Sequence, residues 1–155
     1  KAVVYSIDSS KDWLEHIKSF KFIQNSIQEG RLFLNLVDIG PTKSWGFPLD
    51  SNDKKLFPAF SSYIFSEINP AIIDTVLIDG RFRVACALKT ILECKDNPNL
   101  KILIHDFTFR DEYKHVFEYL DEVKRVDSLI LLKIKNDIDL EKVKLDYEMF
   151  KYLPD

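Results

Sequence analysis

Apolar positions along this chain follow two rhythms. Short β-branched and aromatic runs occur at residues 2–7 (AVVYSI), 32–37 (LFLNLV), 72–78 (IIDTVLI), 101–105 (KILIH) and 128–134 (SLILLKI). Their length and composition predict strands. Between them the spacing becomes helical. Ser9 or Ser10 caps a helix, with Asp12 three residues after Ser9, and Trp13, Ile17 and Phe20 recur four and three apart as its buried face. Residues 81–93 set Val84, Ala85, Leu88, Ile91 and Leu92 on one face, and Asn97-Pro98 ends that pattern. Thr108 and Asp111 form a T-x-x-D cap, followed by Tyr113, Val116, Phe117, Leu120 and Val123 at helical spacing. Residues 41–58 hold three of the six prolines and predict a long loop, with a short helix at 59–67 after it. In the tail, Val143, Leu145, Tyr147 and Met149 alternate like a strand, whereas Leu140, Val143, Tyr147 and Phe150 fit a helix; the helix is the preferred reading.

The resulting order, strand and helix in alternation, predicts an α/β fold: a doubly wound, mostly parallel Rossmann-like sheet with helices on both faces. A length of 155 residues predicts a single domain spanning 1–155. Hydrophobic residues make up 46% and charged residues 30%, as in ordinary globular proteins. The formal charge of −3 argues against a general affinity for nucleic acid. No apolar run approaches the ~18 residues of a membrane span, and the opening residues show no signal-peptide pattern. Cys86 and Cys94 fall about 12 Å apart along one predicted helix, too far to bridge. They read as reduced core thiols, which predicts a cytoplasmic protein. The chain holds only four glycines, Gly30, Gly40, Gly46 and Gly80, so neither a G-x-G-x-x-G loop nor a G-x-x-x-x-G-K loop can be placed. No G-x-S-x-G elbow exists for a serine hydrolase.

Four predicted strands end in an aspartate: YSID at Asp8, NLVDIG at Asp38, VLIDG at Asp79 and LIHD at Asp106, at intervals of 30, 41 and 27 residues. Each interval approximates one βαβ unit, which would set the carboxylates along the carboxyl edge where α/β sheets bind ligands. Such a row can accept ribose hydroxyls, hold a hard dication or supply a general base. Asp is also common after strands because it forms Asx-turns and caps the next helix.

The stretches DTVLIDGRFRVACALKTI and ILIHDFTFRDEY resemble the later half of a class I S-adenosylmethionine-dependent methyltransferase. More narrowly, they resemble a bacterial group with IDGRFRVACAL and ILIHDF motifs, some of whose members lie near cell-surface polysaccharide enzymes. The opening VVYSIDSSKDWL resembles the second strand of that fold and the helix after it. The resemblance implies a methyltransferase, a transferase acting on a hydroxyl of a small polar acceptor such as a sugar, with S-adenosylmethionine as cofactor. Asp8 with Ser9 would hold the cofactor ribose, Asp38 with Ile39 the adenine side, and Asp79 the methionine portion and the acceptor. Asp79 and Asp106 match the acids that hold Mg²⁺ in the metal-dependent members. The family's first strand and glycine-rich motif are not in these residues, so the reading expects them upstream of Lys1. The alternative is a non-catalytic, methyltransferase-like interaction module associated with polysaccharide biosynthesis enzymes. Homo-oligomers are compatible with either.

Further candidates sit beside the acidic row. His105 would either serve as a general base next to Asp106 or point into the adjacent helix layer, since neighbours on a strand face opposite sides. Arg81 and Arg83 follow Asp79 and would either bind an anionic acceptor or pair with the acids. Trp45 and Phe47 in the SWGFP loop would either stack on a ring of the substrate or cofactor, or plug the core. Tyr113 and Tyr119 read as packing residues, and His16 and His115 as exposed positions without a role.

Overall fold

The computed structural model describes residues 2–50, 52–108 and 110–155. Ser51 of the predicted loop and Phe109 of the predicted T-x-x-D cap lie outside the described residues. The chain divides into two compact units, Lys1–Ile64 and Phe65–Asp155.

In the first unit, β1 (Val4–Asp8) and β2 (Leu32–Leu36) pair in parallel, in register from Val4–Leu32 to Asp8–Leu36. Helices α1 (Lys11–Lys18) and α2 (Lys21–Gln28) make the crossover. Ser10 caps α1, its hydroxyl accepting from the Trp13 N–H at 3.2 Å. The helix does not bury the face its spacing predicted. Leu14 is its buried residue, while Trp13 and Phe20 are 53% and 44% exposed. The periodicity fails because α1 stops at Lys18 and the chain turns through Ser19 into α2. The rings of Trp13, His16, Phe20 and Phe22 then pack on one another, at centroid distances of 5.4, 5.3 and 6.0 Å. The 41–58 loop carries a 3₁₀ turn, Ser44–Gly46, and ends in α3 (Pro58–Ser62). The short α4 (Ile64–Glu67) follows where the two units divide.

In the second unit, β3 (Thr75–Ile78), β4 (Lys101–Ile104), β5 (Leu120–Val126) and β6 (Leu129–Ile134) form one sheet in the order β3-β4-β6-β5. β3 and β4 are parallel, as their order predicts, joined through α5 (Arg83–Cys94). α5 packs on α6 (Leu140–Phe150), so the helical reading of the tail holds. Ile102, Ile104, Ile130 and Leu132 of the sheet are buried, as are Leu88, Ile91 and Val143 of the helices.

The sheet is mixed rather than mostly parallel. β6 runs antiparallel to both β4 and β5. The helix expected after Thr108 is instead a 3₁₀ segment, Asp111–Glu118, followed directly by β5. Its N-cap is Arg110 without a side-chain bond, and the Thr108 hydroxyl donates to the Asp127 carbonyl at 3.0 Å. The segment LDEVKRV has three β-branched or apolar positions that serve either period. A tight turn at Asp127, with φ 52°, folds it back on the strongly strand-forming LILLKI, so long-range pairing decides between the two. Two further boundaries move. Residues Pro70–Ile72 form a 3₁₀ turn capped by Asn69, which shortens β3. α5 begins at Arg83 rather than at residue 81, because Phe82 takes a left-handed conformation with φ 57° and is wholly buried. Among the described residues, no helix is long and apolar enough to cross a membrane.

Candidate functional site

Each unit presents strand-end aspartates, but the two pairs are held differently. In the first unit, the Asp8 carboxylate accepts from the Ser10 N–H at 2.7 Å, and the Asp38 carboxylate accepts from the Gly40 N–H at 2.8 Å. Both are Asx-turns that lead the chain out of a strand end. Gly40 has φ 84°, a conformation that a side chain would strain. Ser9 lies between Asp8 and the Ser10 cap, and Ile39 beside Asp38 is buried. Trp45 has φ 64° and is 88% exposed, so it is not a core plug.

The second unit concentrates the chemistry. β3 and β4 end at Ile78 and Ile104, and the backbone N–H of His105 still donates to the Ile78 carbonyl at 3.0 Å. That bond fixes His105 against the residue that follows β3. His105 Nδ1 lies 2.8 Å from Asp79 Oδ1 and 3.5 Å from Asp106 Oδ1. Neighbours within a strand point to opposite faces. Here the strand has ended and Asp106 has φ 53°, so consecutive side chains converge on Asp79. One ligand atom from each of Asp79, His105 and Asp106 lies within 4.8 Å of the other two. Ser128, at the β5–β6 turn, brings its hydroxyl to 3.4 Å from His105 Nε2 and 3.5 Å from Asp106 Oδ1. Sequence reasoning did not single out Ser128. The available signal was the polar pair Asp127-Ser128 between two strand-forming runs, a hairpin turn.

Arg83 closes the cluster from below. It is 2% exposed, and its guanidinium donates to the Tyr113 hydroxyl at 3.1 Å and to the Asp79 carbonyl at 3.0 Å. The same group lies 3.6 Å from the Asp79 carboxylate and 3.7 Å from that of Asp106. Of the two alternatives in the sequence, pairing with the acids is the one that Arg83 displays. Arg81 is also buried, and that burial, with Arg83 beside it, pushes its guanidinium pKa down. Burial pushes the Tyr113 hydroxyl up, against the pull of Arg83.

A cation in the first turn of a helix opposes the helix dipole. Asp155 compensates: its carboxylate accepts from the backbone N–H groups of Arg83 at 2.7 Å and Val84 at 3.1 Å. Burial nevertheless holds the Asp155 pKa above the usual carboxylate range. Asp155→Ala is expected to cost about 1 kcal/mol, the size of a lost N-cap, in thermal unfolding of the intact chain. Cys86 and Cys94 are both free thiols of α5. Burial pushes the Cys86 thiol far up and that of Cys94 to about 11, so neither is a nucleophile at neutral pH.

The donor set of Asp79, His105 and Asp106 fits a divalent cation: two carboxylates to neutralise it and one imidazole, all partly open to solvent. The Asx-turned Asp8 fits a ribose diol, because one carboxylate oxygen is fixed by the backbone and the other keeps its acceptor capacity.

No family model and no curated protein matches the chain. Among solved structures, it is similar to a methyltransferase-like protein from Silicibacter pomeroyi, with a TM-score of 0.76 and 23% identity over 97% of this chain and 77% of that one. The chain thus shares the α/β fold of a methyltransferase-like protein.

Proposed function

We propose that residues 1–155 form a methyltransferase-like domain that transfers a methyl group from S-adenosylmethionine to a hydroxyl of a small polar acceptor such as a sugar. The observation that carries this reading is the Asp79–His105 contact of 2.8 Å at the carboxyl ends of two parallel strands, in a chain with the fold of a methyltransferase-like protein. When bound, S-adenosylmethionine supplies an electrophilic methyl carbon on a sulfonium sulfur.

The chain's own residues bind, orient and handle a proton. Asp8 and Ser9 take the ribose, and Asp38 and Ile39 the adenine side. The Asp79 carboxylate accepts a hydrogen bond from His105 Nδ1–H, which leaves Nε2 with its lone pair as the base. Ser128 shows that a hydroxyl reaches this nitrogen, since its own lies 3.4 Å away. An acceptor hydroxyl in that position gives its proton to Nε2 as its oxygen becomes nucleophilic, and the Asp79 carboxylate stabilises the imidazolium that forms. The Arg83 guanidinium, 3.6 Å from one carboxylate and 3.7 Å from the other, offsets their charge. Trp45 offers an exposed aromatic face for a sugar ring.

Calorimetric titration with S-adenosylmethionine tests the reading. The intact chain is expected to bind, and Asp8→Ala is expected to bind about tenfold or more weakly, the cost of a hydrogen bond to a charged group. Binding unchanged in Asp8→Ala removes Asp8 from the site. Absence of binding leaves the non-catalytic interaction module as the better description.

A further inference from the structure

We infer that Ser128, His105 and Asp79 form a serine-nucleophile triad that cleaves small carboxylic esters through an acyl-Ser128 intermediate, an activity separate from methyl transfer. It shares the His105–Asp79 pair with the reading above and goes beyond it, because the hydroxyl that His105 deprotonates is the protein's own. The two ring nitrogens of His105 face different groups. Nδ1 lies 2.8 Å from Asp79 Oδ1, and Nε2 lies 3.4 Å from Ser128 Oγ. A carboxylate only accepts, so the ring proton sits on Nδ1 and the Nε2 lone pair is turned towards the hydroxyl. That is the division of roles in a Ser–His–Asp triad, which is recognised by geometry rather than by sequence position. The missing G-x-S-x-G elbow therefore excludes one scaffold for the nucleophile, and not the nucleophile itself.

Ser128 has supports of its own. Asp127 and Ser128 make the turn between the paired ends Val126 of β5 and Leu129 of β6. The Ser128 carbonyl accepts from the Phe107 N–H at 2.8 Å, and the Asp127 carbonyl accepts from the Thr108 hydroxyl at 3.0 Å. These two bonds tie the turn to the segment after His105, so backbone contacts hold hydroxyl and imidazole together. Asp127, the first turn residue, has φ 52°, where glycine is the ordinary choice. Side chains held in that region cluster at functional sites. Asp106 Oδ1, 3.5 Å from the Ser128 hydroxyl, is its other acceptor, and rotation of the hydroxyl hydrogen exchanges the two. A nucleophile–base hydrogen bond shortens to about 2.6–3.2 Å once substrate is seated. Asp79 and His105 are partly open to solvent and Ser128 is half-buried, so an ester carbonyl can approach. Ser128 Oγ bonds to that carbonyl carbon while its proton passes to His105 Nε2. The bond from the carbonyl carbon to the alkoxy oxygen then breaks, and the Nε2 proton leaves on the alcohol. Water adds to acyl-Ser128 in the same way: it gives a proton to Nε2, the acyl–Oγ bond breaks, and that proton returns to Ser128. The sum is ester plus water to acid plus alcohol. Asp79 is the positioning residue, which holds the ring tautomer and stabilises the imidazolium.

The experiment treats the intact chain, without S-adenosylmethionine, with p-nitrophenyl acetate and separately with a fluorophosphonate probe. The wild type is expected to release a burst of about one equivalent of p-nitrophenolate and to carry the phosphonyl group on Ser128, mapped by peptide mass spectrometry. Mapping on the wild type needs no variant to fold. Ser128→Ala and His105→Gln are expected to lose at least about a thousandfold in labelling rate. Asp79→Asn is expected to lose about a hundredfold or more, and to move the His105 ring proton from Nδ1 to Nε2, read in the ring ¹⁵N shifts. Circular dichroism of each variant confirms that it is folded. Absence of label in the wild type, label at another residue, or a burst that survives in Ser128→Ala through direct acylation of His105 overturns the inference. A ring proton that stays in place in Asp79→Asn removes Asp79 from the triad and overturns it equally. A parallel titration with S-adenosylmethionine separates the two claims. Cofactor binding without label sinks the triad alone, and label at Ser128 without cofactor binding sinks the methyl-transfer reading alone.

Discussion

Replacing Arg83 with methionine is expected to destabilise the protein by about 3 kcal/mol, measured by urea unfolding at neutral pH. Methionine keeps most of the stem, so the loss falls on the guanidinium. The Tyr113 hydroxyl is wholly buried and loses the donor 3.1 Å away. The Asp79 carbonyl loses a second charged donor at 3.0 Å. Each hydrogen bond to a charged group contributes about 1.5–3 kcal/mol. Asp79 and Asp106 add little to this sum, because both are about half exposed and water screens them. Arg83→Lys is expected to recover only a minor part. An ammonium cannot span the Tyr113 hydroxyl and the Asp79 carbonyl as a planar fork does. Full stability in Arg83→Lys would show that charge, and not the fork, is what matters here.

The parts of this site that lie at strand ends were legible in the sequence, and the reason is physical. VLI before Asp79 and ILI before His105 are short apolar, β-branched runs that suit strands, and Gly80 and Phe107 follow where the chain has left the strand. Their parallel pairing then sets Asp79 and His105 side by side. What spacing could not give is the convergence of His105 with Asp106. Alternation along a strand sends neighbours apart, and only the left-handed φ of Asp106 cancels it. β5 was hidden for a different reason. Leu120 and Val123 satisfy a helical stripe begun by Tyr113, Val116 and Phe117, and nothing local breaks it before Asp127. The antiparallel partner that decides the matter, β6, comes later in the chain. With β5 misassigned, the turn that carries Ser128 to His105 could not be foreseen.

Polar residues on helical segments were the least legible. His115 and Asp146 sit 31 residues apart on segments that read as solvated faces, yet His115 Nε2 lies 2.7 Å from Asp146 Oδ2, and the Tyr119 hydroxyl donates to the same oxygen. The His115 ring also lies 4.7 Å from that of Phe150. Sequence carries no period for such a contact, because it joins α6 to the 3₁₀ segment across the packed interior. It marks Asp146 as the residue that fixes α6.

Asp146→Asn is therefore expected to destabilise the protein by about 2 kcal/mol at pH 7, since the buried Tyr119 hydroxyl and the half-buried His115 ring lose a charged acceptor and keep a neutral one. The loss is expected to depend on pH in a definite direction. Burial alone would raise the Asp146 pKa, but the bonds from Tyr119 and His115 outweigh it and hold the carboxyl below its usual range. A carboxyl with a lowered folded-state pKa contributes stability above its unfolded value, near 3.8, and loses that contribution as the pH falls through the lower folded value. Urea unfolding of the wild type and Asp146→Asn should thus differ most at neutral pH and converge as the pH falls through the lowered folded-state value. Lys142, which pairs with Glu118 and lies over the Tyr119 ring, is the control. It is exposed, so Lys142→Met should leave stability unchanged within error at any of these pH values. A difference between wild type and Asp146→Asn that persists undiminished across the whole acid limb of the pH series would assign the effect to packing of the side chain rather than to its charge.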